Sequence, residues 1–468
     1  MGETVPNERL KQYLMELPAQ ARALLTTELE RALMRGEEPP GASMILDALR
    51  GDARETGRKM PRLGNPQRLF FAPLEPFLVD DSPERKHRGR ISRVALDPIW
   101  DWLCGHLVPQ ESSAYVDQVT VLLAANEKKG LEQVTRAFQD ATEQRMRETL
   151  ATTKNDDKLR RQVRFQIGTP NAIEDLREIA TILRVRDALA ILASRLPPSV
   201  SNLADEQLEN IKNLLDSPVG RHRDVFLHAL LMVMGRLTAP WQLVRLAIAA
   251  AGTDAAARVA ETPYAVAVDI VLTDTERMIA KLREALKSGQ GAELASVLKD
   301  IHDSVRVMRT EMDLSGDTPW SRQLAALRSE VSRLLQAEIE NLPGQVRRML
   351  RPRPVKEFGE GAKLDPGDVT EIEAKLVLAA ACRNYASELA ISEATRRVHS
   401  DLQNYFDSGM QVLLDRLRAS PEAERSFRQS QVDAAVKFCA KLFGEDFAST
   451  LAKAAGVAAK SEQKAARG

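Results

Sequence analysis

Residues 182–196, Ile-Leu-Arg-Val-Arg-Asp-Ala-Leu-Ala-Ile-Leu-Ala-Ser-Arg-Leu, end against Pro197-Pro198. Ile182, Val185, Leu189, Leu192 and Leu196 step by three and four, the spacing of one apolar stripe on a helix. The paired prolines stop it, because proline lacks the donor and restricts the residue before it. Leu131, Val134, Phe138 and Ala141 repeat the stepping upstream, and Leu324, Leu327, Val331 and Leu334 repeat it downstream. Each stripe is too short for an extended coiled coil, so antiparallel helix packing is expected.

Helix starts are marked as well. Asn171 to Glu174, Thr273 to Glu276 and Asp368 to Glu371 have the spacing of a capping box. Thr262-Pro263, Thr318-Pro319 and Ser420-Pro421 offer proline at a first helical position. Aromatics make up 4% of the 468 residues, strand alternation is absent, and no repeat of solenoid length occurs. The expected fold class is all-α: a bundle-like body, an irregular Pro/Arg-rich connector and a C-terminal helical domain.

Composition breaks divide the chain. Residues 1–50 read as an N-terminal helical segment and 51–97 as the connector, since six prolines from Pro61 to Pro98 forbid a long helix there. Residues 98–350 read as the middle helical domain, 351–366 as a linker, 367–449 as a C-terminal domain and 450–468 as a disordered tail.

Lys+Arg and Asp+Glu both total 66, which excludes a uniformly basic nucleic-acid binder. The longest apolar run, Val225–Met234, is half of a membrane span, and the N-terminus lacks a signal-peptide pattern. Cys104, Cys382 and Cys439 form no spaced pair, so a reducing, cytoplasmic setting is expected. Arginine outnumbers lysine 47 to 19, a bias associated with bacterial genomes.

No catalytic residue, metal ligand or cofactor is expected. Phosphate-binding loops are missing, because Leu294 and Leu364 stand where a dinucleotide fingerprint needs its last glycine. Glu84-x-x-His87 is a single copy of a pattern that di-iron bundles need twice. Cys104-Gly105-His106 lacks an orienting third group, and His222 and His228 around Asp224 suit a helix surface as readily as a site.

Charge and aromatic placement point instead to a partner. Between Arg50 and Arg93 eleven basic residues face six acids, and Arg85, Lys86, Arg88, Arg90 and Arg93 form the dense end. Arg347, Arg348, Arg351, Arg353 and Lys356 form a second cluster. Such clusters suit nucleic acid or phosphate, or answer the protein's own acids. Phe70, Phe71 and Phe77 lie in an apolar strap, Leu69–Leu78, which reads as irregular core or as aromatic anchors for a protein partner. The functional expectation is a non-enzymatic cytoplasmic interaction or scaffold protein, with nucleic-acid binding second and an unrecognised helical enzyme third.

Overall fold

The computed structural model describes residues 19–34, 65–80, 86–288, 291–351 and 362–465, with scattered positions between 14 and 49. The fold is all-α. Strand, among the described residues, is confined to one parallel pair two residues long and isolated bridges. The chain divides into two compact units: residues 1–197 with 213–235, and residues 198–212 with 236–468.

Unit 1 contains α1 (Ala19–Met34) and α2 (Pro66–Phe71), which leads into a 3-10 turn, Ala72–Phe77. Strands β1 (Leu78–Val79) and β2 (Ile91–Ser92) pair, and α3 (Leu96–Trp102) follows. Then come α4 (Pro109–Ala124), α5 (Lys128–Thr153), α6 (Asp157–Ile167) and α7 (Ala172–Arg195). Helix α8 (Asp205–Leu215) carries the chain across the unit boundary, and α9 (Arg223–Met234) completes unit 1. Every residue of the α7 stripe is buried, from Ile182 to Leu196. On α5 the buried face turns away from the expected stripe: Phe138 is interior, but Thr135, Gln139, Thr142 and Met146 join it while Ala141 is exposed.

The described part of the expected connector is packed structure. Residues 66–71 do form a regular turn of helix, because Asn65 caps it by accepting from Arg68 N–H at 2.7 Å and Pro66 sits where no donor is needed. Pro73 and Pro76 then tighten the chain into the 3-10 turn. Residues 51–64 and 81–85, including Arg85, lie outside the described residues.

Unit 2 is built on α10 (Val244–Ala251), α11 (Ala256–Ala260), α12 (Ala265–Ser288), α13 (Gly291–Glu311), α14 (Pro319–Glu340) and α15 (Leu342–Met349). Its last four helices are α16 (Pro366–Asn384), α17 (Ser392–Arg418), α18 (Glu422–Phe443) and α19 (Glu445–Ala465). The capping signals moved. Thr318 and Ser321 make a reciprocal box at α14, Asp365 caps α16, Asn171 makes no side-chain cap and Thr273 lies inside α12. Residues 450–465, expected as disordered tail, are helical: Gly444, at φ +94°, reverses the chain and lets Ala448, Ala455 and Ala458 bury as α19 packs on α17 and α18.

Candidate functional site

Phe70 and Phe77 are fully buried and Phe71 is 3% exposed, so these rings are interior side chains rather than surface anchors. Phe70 packs against Trp100 and Phe138 at 5.5 and 5.3 Å between centroids, and Tyr115 stacks on Phe138 at 4.3 Å. Burial pushes the Tyr115 hydroxyl up to about 12, and it donates to the Pro66 carbonyl at 2.9 Å.

Beside this cluster lies an open groove of about 590 Å³, within the range of small-molecule and peptide sites. One wall is α5, through Leu131 and Thr135; the other is α7, through Leu189, Ala190 and Ala193. Pro73, Pro76 and Phe77 of the 3-10 turn close it, with Met232 from α9. The small side chains of Ala190 and Ala193, one turn apart on α7, are what leave the space.

Several polar groups in the groove are already committed. Gln139 Nε2 donates to the Phe70 carbonyl at 2.8 Å, and Thr135 Oγ1 lies 3.4 Å from the Tyr115 hydroxyl. On the rim Arg136 pairs with Asp187, and Arg186 pairs with Asp140 at 2.8 Å. Lys128 and Glu132 also stand in the lining, one of each sign, so what distinguishes the groove is its apolar walls.

A second cluster holds the 86–92 segment onto α7. Lys86 pairs with Asp175, and Gly89 N–H donates to Glu178 at 3.0 Å. His228 Nε2 lies 3.3 Å from the other Glu178 oxygen, while its Nδ1 lies 3.1 Å from the Asp224 carbonyl. Burial raises Asp175 above the usual carboxylate range, with Lys86 opposing it. Burial also works upward on Glu178, but the close approach of His228 and the Gly89 hydrogen bond outweigh it and hold Glu178 low. Gly89 takes φ +74°, and a Cβ there would meet Leu231 Cδ1 at 2.5 Å, so the segment passes where only glycine fits.

The basic residues expected as partner contacts have mostly internal duties. Arg93 forks onto Glu75 and also meets Asp80, Arg90 donates to the Pro76 carbonyl, and Arg88 is exposed. In unit 2, Arg347 lies over the Tyr405 ring at 5.8 Å, and Arg348 and Arg351 are exposed. Arg353 and Lys356 lie outside the described residues. Cys104 is half-buried, and burial raises its thiol above the ordinary value; His106 is exposed. His222 caps α9, accepting from Asp224 N–H. Among the described residues no group of three or more His, Cys, Asp or Glu could hold a metal, and no helix is long and apolar enough to cross a membrane.

Sequence reasoning missed the groove and the Asp175–Glu178–His228 cluster. The Ala190/Ala193 pair, beside the bulky stripe of α7, was the one local signal for the groove. Comparison with protein-family models, curated proteins and solved structures returns no match to this chain.

Proposed function

We propose that the protein is a non-enzymatic helical interaction protein, acting in the bacterial cytoplasm, whose α5–α7 groove receives an apolar segment of a partner protein. The observation that carries this reading is the groove itself: apolar walls, with Gln139 spent internally and Arg136 and Arg186 each paired with an aspartate. An amphipathic helix laying its apolar face between two helices is the recognition mode such a groove suits. Free Cys104, Cys382 and Cys439 favour the reducing compartment. Nucleic-acid binding through 86–93 and 347–351 has less support, because Lys86, Arg93 and Arg347 are engaged within the chain.

The test places a photo-reactive side chain at position 190 in cells of the native host, with position 437 as an exposed control. A protein adduct formed only from 190, and abolished by Ala193→Trp, is the expected result. Equal adducts from both positions, or adducts indifferent to Ala193→Trp, would overturn the reading. An adduct of lipid or metabolite mass would replace the protein partner with a small ligand.

A further inference from the structure

Phe165 is 88% exposed, the most exposed large hydrophobic residue among those described. Its helix, α6, is firmly seated. Val163 and Ile167 are buried, Asp156 accepts from the N–H groups of Lys158 and Leu159 at 2.9 Å, and the Trp102 indole donates to Gln166 at 3.0 Å. Gly168 ends the helix in the left-handed conformation. A ring held out on a rigid, capped helix is displayed rather than frayed.

The charges around it separate by face. Arg160 is spent on Asp157, and Arg164 pairs with Glu174 at 3.5 Å. Lys158, Arg161 and Phe165 step by three and four, so they share the outward face with Gln162. Lys158 and Arg161 have no acidic partner among the described residues; Arg161 Nε donates to the Asp157 carbonyl at 3.2 Å. Along the helix axis the three positions rise by about 4.5 and 6 Å. Lys154 is exposed at the C-cap of α5, and of the two acids between it and Lys158, Asp156 is spent on the helix cap and Asp157 on Arg160.

We propose that this α6 face binds single-stranded nucleic acid, with Lys158 and Arg161 meeting phosphates and Phe165 stacking on a base. The inference is independent of the groove. One isolated ring among cationic and amide groups matches a repeating partner that alternates phosphate with a flat π surface. A lipid bilayer fits less well, because interfacial helices bury a broad apolar face, and the remaining apolar residues of α6 are turned inward.

Fluorescence anisotropy of the full chain with a labelled oligothymidylate of about 15 nucleotides, at roughly 50 mM salt, tests this directly. Binding should weaken with added salt, and Phe165→Ala should reduce affinity by roughly tenfold while Phe165→Trp retains it. Lys158→Gln with Arg161→Gln should lower the log–log salt slope by about 1.4. Since these side chains face solvent, thermal melts of the variants should match the parent and exclude misfolding. No binding at low salt, or equal affinity with Phe165→Ala, would overturn the proposal. So would binding to phosphatidylserine vesicles that depends on Phe165 while the oligonucleotide stays unbound.

Discussion

Phe77 touches both features of unit 1, since its ring lines the groove and stands edge-on to His228 at 5.0 Å between centroids. Phe70→Ala or Phe77→Ala should therefore cost about 3–5 kcal/mol, seen as a lower urea midpoint. Arg88→Ala, at an exposed position, should leave the midpoint unchanged. Glu178 gives the acid-side prediction. The fold favours its ionised form, so that stabilisation is complete above its ordinary value of 4.5 and is lost as pH falls through the lower folded value. Asp175 works in the opposite sense, because its raised value makes its burial cost vanish as pH falls. Urea unfolding between about pH 6 and pH 3 should show Glu178→Gln losing less stability on acidification than the parent. Parallel curves would mean that the His228 and Gly89 contacts do not favour the carboxylate.

At the scale of single elements, caps decide where helices begin. Thr318 accepts from Ser321 N–H at 3.1 Å and Ser321 Oγ accepts from Thr318 N–H at 2.9 Å, so Thr318→Ala should destabilise by about 1 kcal/mol in a thermal or urea melt. Helix identity was legible because stripes such as Ile182–Leu196 are long and strongly periodic. Cap positions were less so: Thr273 has the right residue three before a Glu, yet tertiary packing carries α12 straight through it. The local form of the connector was misread for a related reason. Its prolines were counted as breakers, but Pro66 stands at a helix start and Pro73 and Pro76 suit a 3-10 turn. The groove was illegible because a cavity is set by what separate segments of the chain leave unfilled, and only Ala190 and Ala193 hinted at it.

Across the whole molecule the two units interleave along the chain, because α9 belongs with the first 197 residues while 198–212 belong with the second unit. Composition breaks mark local irregularity and do not encode such an exchange. α9 supplies buried Leu230, Leu231 and Val233, as well as Met232 at the groove. A fragment spanning 65–235 should show near-ultraviolet circular dichroism from its packed aromatics and resist protease. A fragment ending at 197 should lose both while keeping much of its helix signal. Equal protease resistance of the two would show that α9 is dispensable to unit 1.

The partners of the aromatic strap are made late. The Phe70 carbonyl waits for Gln139, and the Phe77 ring for His228, 151 residues downstream of it. At ribosomal rates of about 5–20 residues per second, the last of these contacts comes roughly 8–30 s after Phe77 is added. Trp100 and Phe138 arrive earlier and can cover Phe70, but the His228 face of Phe77 stays open throughout that interval. Its burial places a timing demand on synthesis, which a chaperone holding this stretch, or a pause that spares the emerging chain from neighbours, would meet.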